Sequence, residues 1–341
     1  MENLLVLTHA DETGSALTKA SLECVTAGLE LAARLATSLT IGIIAADATN
    51  LSKGLPSAKL LAISGEAFAQ PRYATDAAAC EALCRASAAT IVLAPESSRF
   101  ARVAAGVAHR LNGLIDTHIT SITGTDTIEA TRWFYRQRIE AVLTRDARPW
   151  FLLLDAGTHA AFSAADTAAA PIEEIEVELP AIRTTVTGIR APKQDEQTIR
   201  PDAKMLFVTG AGWTKKQPDG QTHVSEAADL ILGFLRRTSA SLGSSKSLVD
   251  QGGEGNSVLP FLTHLNQIGQ TGATPRHAKG LSTCCHGEEP HVVGWRFIGE
   301  RRAISLDANC GWTRGKADVV YVADAFAVIA KVNELLAAKK A

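Results

Sequence analysis

The sequence predicts an α/β protein with two doubly wound parallel-sheet (Rossmann-like) domains, the first carrying a β-rich extension. Three observations predict it. Short apolar runs alternate with amphipathic stretches in both halves, a block of strands follows the first alternation, and a charged, proline-bearing segment separates the halves. Strands that alternate with helices are typical of parallel sheets joined by crossovers. The length of 341 residues also favours two domains, since single cores stop growing near roughly 250–300 residues.

The chain begins with elements typical of a buried parallel sheet. Leu4–Thr8 is a short apolar run that directly follows the first residues, so we expect a strand there and no signal peptide. The elements expected next are a helix over Ser21–Thr37, strands over Leu39–Ala45 and Ala58–Ser64, a helix over Ala77–Ala88, a strand over Thr90–Ala94 and a helix over Arg99–Leu111.

A β-rich block and a linker follow. The block comprises expected strands over Ile115–Thr123, Glu129–Phe134, Ile139–Thr144 and Trp150–Asp155, then an exposed edge strand over Glu173–Pro180. Ala191–Asp202 combines two prolines with charged residues and shows no apolar period, which is typical of a linker. The domain prediction is therefore residues 1–190, a linker at 191–203 and a second domain at 204–341.

The second half repeats the alternation of strand and helix. The expected elements are a strand over Lys204–Thr209, a turn at Gly210-Ala211-Gly212, a helix over Ser225–Leu242, a strand end and turn within Ser244–Asp250, strands over Ala303–Asp307 and Val319–Val322, and a helix over Ala325–Ala338. The closing helix is amphipathic, with apolar residues at helical spacing.

Composition excludes several classes of function. The formal charge of −2 argues against non-specific nucleic-acid binding, which needs a basic surface. No apolar run reaches the ~20 residues that span a bilayer, so we expect no membrane insertion. The six cysteines, in a chain without a recognisable export signal, favour reduced thiols in a cytoplasmic protein. Cys80 and Cys84, spaced four apart on one helix, are expected in the core.

Two glycine-bearing turns could approach a ligand. Gly210-Ala211-Gly212 follows a strand, as in phosphate-binding turns, but it lacks the third glycine of a dinucleotide fingerprint. An ordinary tight turn therefore stays an equal alternative. The segment from Gln267 to Gly272 has two glycines around a neutral polar pair, which suits a flat heterocycle or a pyrophosphate. Its composition alone also fits a surface turn.

Two further groups of residues have side chains that could bind a ligand or a metal. Lys246, between Ser244-Ser245 and Asp250, could face an anionic ligand, or it could be a solvated lysine at a loop edge. Cys284-Cys285-His286, with His291 and Cys310, raises the question of a metal site. Adjacent cysteines rarely chelate one metal, and the chain has no Cys-x-x-Cys pair, so no metal is expected. No nucleophile–base arrangement predicts a catalytic residue.

These segments together resemble the α subunit of electron transfer flavoproteins. The resemblance rests on Leu242-Gly243-Ser244-Ser245-Lys246 leading to Val249-Asp250-Gln251-Gly252, on the hexapeptide Gln267-Ile268-Gly269-Gln270-Thr271-Gly272, on Gly287 and His291, and on Ala317-Asp318. Thr90–Pro95, Arg99–Leu111 and Ile115-Asp116 resemble the first domain of that family. The resemblance spans most of the chain, and the hexapeptide is its most specific motif.

The resemblance implies that the second domain binds FAD in an extended pose. Thr271 would contact the isoalloxazine edge near N5 with Gln270 beside it, and His291 would lie near O2. Ser245 and Lys246 would flank the flavin. The cofactor-binding set that the resemblance implies is Ser245, Lys246, Gln267, Ile268, Gly269, Gln270, Thr271, Gly272, Gly287, His291, Asp307, Asn309 and Asp318.

The sequence departs from the family pattern on the pyrophosphate and AMP half of that site. Lys246 replaces an arginine, which keeps the charge and loses the planar fork. The arginine of the family's glycine-rich turn is replaced by Gly212 or Trp213. Cys284-Cys285-His286 replaces a Gly-Ile-Ser segment, and Asp307-Ala308-Asn309 replaces an Asn-Lys-Asp segment. FAD is therefore expected with altered affinity and potential.

The implied function is an electron carrier. The chain would form a heterodimer with an electron transfer flavoprotein β-like subunit, take electrons from a flavin dehydrogenase and pass them to a downstream acceptor. The main alternative is a flavin-free structural paralogue in a multi-subunit dehydrogenase or demethylase complex. A nicotinamide-dependent oxidoreductase is a third, weaker reading, because the turn at Gly210 has only part of the required fingerprint.

Overall fold

The computed structural model describes residues 2–134, 139–163, 171–188, 199–200, 203–250, 257–268, 276–283, 298–309 and 317–339. The chain divides into two compact units, Met1–Arg190 and Ala191–Ala341, and each is described by itself. The first contains a nine-stranded mixed sheet and the second a five-stranded parallel sheet. The predicted α/β, Rossmann-like fold class is confirmed.

The first unit contains nine strands and four helices within its described residues. The strands are β1 (Leu4–His9), β2 (Leu39–Ala45), β3 (Lys59–Ser64), β4 (Ile91–Pro95), β5 (Leu114–Thr123), β6 (Glu129–Phe134), β7 (Ile139–Leu143), β8 (Trp150–Leu154) and β9 (Ile172–Glu174). The helices are α1 (Lys19–Leu35), α2 (Tyr73–Ala86), α3 (Ser98–Ala101) and α4 (Ala104–Arg110), and a 3-10 turn covers Glu66–Phe68.

The strand order of this sheet is β7-β6-β5-β8-β4-β1-β2-β3-β9. The seven neighbouring strands β5-β8-β4-β1-β2-β3-β9 run parallel. Strand β6 pairs antiparallel with β5 and with β7, which confirms the predicted β-rich extension. Apolar side chains fill both faces. One face packs against α1 through residues such as Val25 and Leu31, and the other packs against α2 and α4 through Leu83 and Val107. Cys80 and Cys84 are buried in the second cluster, as predicted.

Helix α1 shows how the sequence determines one of these layers. The Thr18 hydroxyl accepts a hydrogen bond from Ser21 N at 3.2 Å and caps the first turn. Ala36 adopts a left-handed conformation that ends the helix. Between them Gly28 lets the helix approach the sheet, because a Cβ there would lie 2.5 Å from Val6 Cγ2.

Two predicted elements of the first unit were wrong in extent. The helix expected over Arg99–Leu111 is interrupted between α3 and α4. The interruption accompanies the buried Arg99 side chain, which donates to Phe68 O and to Asp76 at 2.7–3.0 Å. The predicted edge strand is present as β9 but covers three residues. Its last ladder bond is Ile175 N to Ala62 O at 2.8 Å, and the chain then continues outside the sheet.

The second unit has five strands and three helices in its described residues. The elements are β10 (Met205–Thr209), a 3-10 turn (Ala211–Thr214), α5 (Val224–Thr238), β11 (Ser241–Ser244), α6 (Lys246–Asp250), a 3-10 turn (His264–Asn266), β12 (His277–Thr283), β13 (Ile298–Ser305), β14 (Val319–Val322) and α7 (Ala325–Lys339). The strand order is β11-β10-β12-β13-β14, and every pair is parallel.

Several features of this unit differ from the sequence prediction. The segment Ser244–Asp250, expected as a strand end and turn, contains the short helix α6, and the strand expected over Ala303–Asp307 begins at Ile298 and ends at Ser305. The helix expected to reach Leu242 ends at Thr238, because Ser239 adopts a left-handed conformation and the chain re-enters the sheet as β11. Strand β12 was not predicted. Its sequence is polar and small, with Leu281 its one large aliphatic side chain, yet it lies between β10 and β13. None of the described helices combines the length and hydropathy needed to cross a membrane.

Candidate functional site

The candidate site lies at the carboxyl edge of the second sheet. Counted within this unit, the strand order is 2-1-3-4-5, so the direction of winding reverses between β10 and β12. In open α/β sheets, ligands bind outside the carboxyl ends of the strands at such a switch point. The strands that meet there end at Thr209, Ser244, Thr283 and Ser305.

Backbone contacts hold the start of the hexapeptide against the end of β11. Ile268 N donates to Ser244 O at 3.0 Å, and a parallel bridge joins Ser244 to Gln267. The side-chain amide of Asn266 donates to Leu242 O at 3.3 Å. Gly243 allows the approach, since a Cβ there would lie 2.9 Å from Ile268 Cγ2. Gln267 and Ile268 are thus joined to the segment that carries Ser245 and Lys246.

Ser245 and Lys246 have different environments. Ser245 is fully buried, its backbone N donates to Thr209 O at 2.9 Å, and its hydroxyl accepts from Leu248 N at 3.2 Å. Lys246 begins α6 with its side chain 62% exposed and its Nζ 3.6 Å from Asp250 Oδ2. An exposed pair of this kind contributes about 0–1 kcal/mol, so the ammonium can turn toward an anionic ligand at little cost.

The other predicted contacts are only partly described. Gly269, Gln270, Thr271, Gly272, Gly287 and His291 lie outside the described residues. Asp307 and Asn309 follow the carboxyl end of β13, at the same edge as Ser244. Asp307 N donates to Ser305 Oγ at 3.1 Å, and Asp307 Oδ1 accepts from Asn309 N at 2.8 Å.

Asp318 does not come together with these residues. Its backbone N donates to Arg301 O, and Arg301 pairs in register with Gly280, about three residues before the carboxyl end of β12. Its carboxylate accepts from Arg301 N at 2.7 Å and from Arg301 Nη2 at 3.0 Å. These bonds lower the pKa of Asp318. In this structure the side chain completes the pairing of β13 with β14.

Strand β12 brings two residues to the edge that sequence analysis did not single out. Thr283 Oγ1 donates to Val208 O at 3.0 Å and accepts from Trp213 Nε1 at 2.8 Å. Ser282 points to the opposite face, because successive strand residues alternate. Its hydroxyl is buried and has no hydrogen-bond partner among the described residues. Prediction of β12 as a strand would have indicated Ser282 and Thr283 as candidate site residues, because they lie at its carboxyl end.

The described residues at this edge present hydroxyl groups suited to a polar ligand. A buried hydroxyl without a hydrogen-bond partner costs about 1–3 kcal/mol of stability. A bound ligand or water that forms a hydrogen bond with the Ser282 hydroxyl would remove this cost. The turn at Gly210 fits less well as a phosphate cradle. It is a 3-10 turn filled by the Trp213 indole, whose ring centroid lies 4.6 Å from that of Phe326. The structure therefore favours the ordinary-turn interpretation there.

The described residues do not form a metal site. No group of three or more His, Cys, Asp or Glu side chains in the described ranges could hold an ion. Cys284, Cys285, His286, His291 and Cys310, which raised the question, lie outside those ranges.

Comparison with known protein families identifies one match. The sequence model of the electron transfer flavoprotein domain matches residues 6–180, just over half of the chain. The matched range runs from within β1 to beyond β9, so it lies in the first unit and includes none of the predicted flavin contacts. No curated protein matches the chain.

Proposed function

Since this chain belongs to the electron transfer flavoprotein family, we propose that it is an α-like subunit that carries electrons from a flavin dehydrogenase to a downstream acceptor. It would do so as a heterodimer with a β-like subunit. The first unit would pack against that subunit, residues 191–203 would form the linker, and residues 204–341 would bind FAD. The observation that carries the proposal is the junction of Gln267-Ile268 with Ser244-Ser245 at a switch point.

The described residues would contribute binding and charge. Bound FAD would supply the electron-accepting ring system. Lys246 would place a positive charge beside that ring, and a cation there favours reduction because added electrons bring negative charge. Ser245 and Ser282 would offer hydroxyl groups at the edge of the sheet. Ser245 already caps α6, so Ser282 is the hydroxyl that lacks a described partner.

The far side of the nucleotide would be held differently from the family pattern. Asp307 and Asn309 follow the carboxyl end of β13, and a carboxylate next to a pyrophosphate is repulsive. The aspartate is part of a local turn that bonds Asn309 N. We therefore propose that FAD binds with reduced affinity on its phosphate side, while the isoalloxazine side keeps its expected partners.

A flavin titration tests the proposal. The full chain, purified with its β-like partner, should retain or take up FAD and show flavin absorbance bands that change on reduction. Lys246→Gln should lower the reduction potential of the bound flavin. Lys331→Gln is the matched control, because Lys331 is also exposed and ion-paired within a helix, at α7. Unaltered potential in the Lys246 variant would remove the role assigned to that charge.

One observation favours a second candidate, the flavin-free structural paralogue. The family match is confined to the first unit, and the residues that differ from the family pattern are in the second. This candidate predicts a stable, colourless complex with the partner and no FAD uptake at any concentration. That result would overturn the electron-carrier proposal and leave the family membership intact.

A further inference from the structure

A cavity lies at the outer edge of the first sheet. Beyond Ile175 the chain leaves the ladder with β3, and residues up to Leu179 lie opposite the turn that contains Gly65 and Phe68. The two segments line an open, surface-facing cavity of about 500 Å³. This volume is within the range of ligand pockets, about 300–1,000 Å³. None of the residues that the resemblance assigns to the flavin site lines this cavity.

The walls of the cavity combine apolar and acidic groups. Ile63 and Phe68 are buried at its base, and Val177 is half-buried. Three exposed glutamates also line it, Glu66, Glu174 and Glu176. No lysine or arginine is among the described lining residues.

The carboxylates of the cavity have few partners within the protein. Glu174 accepts a hydrogen bond of 2.9 Å from Ser64 Oγ. The nearby Lys59 forms an ion pair of 3.1 Å with Glu173, and Glu173 does not line the cavity. The occupant that complements these walls has an apolar stem and a cationic head, as lysine and arginine side chains do.

The edge of the sheet beside the cavity is open. β9 is the terminal strand, so its outer backbone groups have no ladder partner among the described strands. Open edges accept added strands. A second copy of β9 would oppose glutamates to glutamates across that edge, and like charges directly opposite each other are destabilising. A basic strand would pair its charges favourably.

We propose that the cavity and the free edge of β9 form a docking site for an extended, lysine- or arginine-bearing segment of a partner protein. The backbone of that segment adds to β9, and one of its cationic side chains enters the cavity between Glu66, Glu174 and Glu176. The proposal is independent of flavin binding.

A labelled peptide tests the docking site on the full chain. A short peptide of alternating lysine and valine should bind, with an affinity that falls as salt is raised. The triple variant Glu66→Gln, Glu174→Gln, Glu176→Gln should weaken binding about tenfold. The matched control, Glu12→Gln, Glu129→Gln, Glu140→Gln, changes the net charge equally at exposed sites of the same unit and should leave binding unchanged. Ala67→Trp, which fills the cavity without changing charge, should also weaken binding.

Several results would overturn the proposal. Equal weakening by both triple variants would mean that the peptide senses net charge alone. Equal binding of a peptide with glutamate in place of lysine would exclude the acidic site. Self-association of the chain that competes with the peptide for binding would assign the edge to a second copy. Circular dichroism and thermal melts of each variant establish that the fold is retained in every comparison.

Discussion

Ile268 N donates a 3.0 Å hydrogen bond to the carbonyl oxygen of Ser244, and this contact places the start of the hexapeptide beside the end of β11. The contact depends on Gly243, because a Cβ there would lie 2.9 Å from Ile268 Cγ2 and 3.2 Å from Leu206 Cδ1. One backbone hydrogen bond, which Gly243 makes sterically possible, therefore connects two segments that are more than twenty residues apart in sequence.

Gly243→Ala should displace Ile268 and weaken FAD binding. Overpacking a buried site typically costs about 1–3 kcal/mol of unfolding free energy, and the loop would shift away from Ser245. FAD titration and urea unfolding of the full chain measure both effects. Gly233→Ala in α5 is the control, because its Cβ would meet only the ends of the Arg237 and Asn333 side chains. Unchanged FAD affinity in the Gly243 variant, with its fold intact, would separate this contact from flavin binding.

Arg99→Met should destabilise the first unit strongly. Arg99 and Asp76 form a buried ion pair at 2.7 Å, and removing one partner of such a pair costs about 3–5 kcal/mol. Burial, opposed by Arg99, raises the pKa of Asp76. The Asp76 carboxyl group therefore binds its proton more tightly in the folded state than in the unfolded state. The stability that this contributes is lost as pH rises from the ordinary aspartate pKa through the raised pKa of Asp76.

The pH dependence of the Arg99 variant is the sharper test. Without the guanidinium the pKa of Asp76 should rise further, so urea unfolding should show higher stability at about pH 5 than at about pH 7. The double variant Asp76→Asn, Arg99→Met should lose that dependence and regain part of the stability. A double variant as pH-dependent as the single one would contradict the assignment to Asp76.

His9 should make the first unit sensitive to acid. Burial lowers its pKa to about 4, and the neutral ring bonds Ala10 O through Nδ1 at 2.8 Å and Ser97 Oγ through Nε2 at 3.0 Å. The unfolded chain binds the proton first, so stability falls as pH drops from 6.5 to about 4, by about 3 kcal/mol.

Comparison of variants isolates the His9 contribution. His9→Gln should remove this part of the acid sensitivity in urea unfolding measured across that window. His109→Gln, at an exposed histidine of the same unit, should leave it in place. If both variants keep the full loss of stability, the neutral buried imidazole is not its source.

His118 should titrate in the opposite direction. It adopts a left-handed conformation at an irregularity of β5, and its Nδ1 lies 3.0 Å from Asp155 Oδ1. The hydrogen bond to Asp155 raises the pKa of His118 above 6.5. Its small stabilising contribution is therefore present below pH 6.5 and is lost as pH rises through the folded-state pKa.

An NMR titration checks His118 directly. The imidazole signal should have a midpoint above 6.5 in the native chain, and Asp155→Asn should lower it. Asp146→Asn, at an exposed aspartate of the same unit, should have no effect. A midpoint that ignores Asp155 would show that the ion pair is not formed in solution.

The sequence by itself determined the kind and order of most elements, the β-rich extension and the parallel sheets. The spacing of apolar residues and the placement of glycines are local signals. Apolar spacing indicates whether other parts of the protein pack against one face of a segment or against both. The hexapeptide and Ser245-Lys246 were also visible from the sequence, by resemblance.

Only the tertiary structure decided which residues meet. β12 has a weak apolar pattern, and its central place follows from backbone bonds to β10 and β13. The ion pair of Asp76 with Arg99 and the position of Asp318 beside Arg301 also depend on packing between distant segments. Such contacts depend on how the strands are ordered in space, and no local periodicity in the chain records that order.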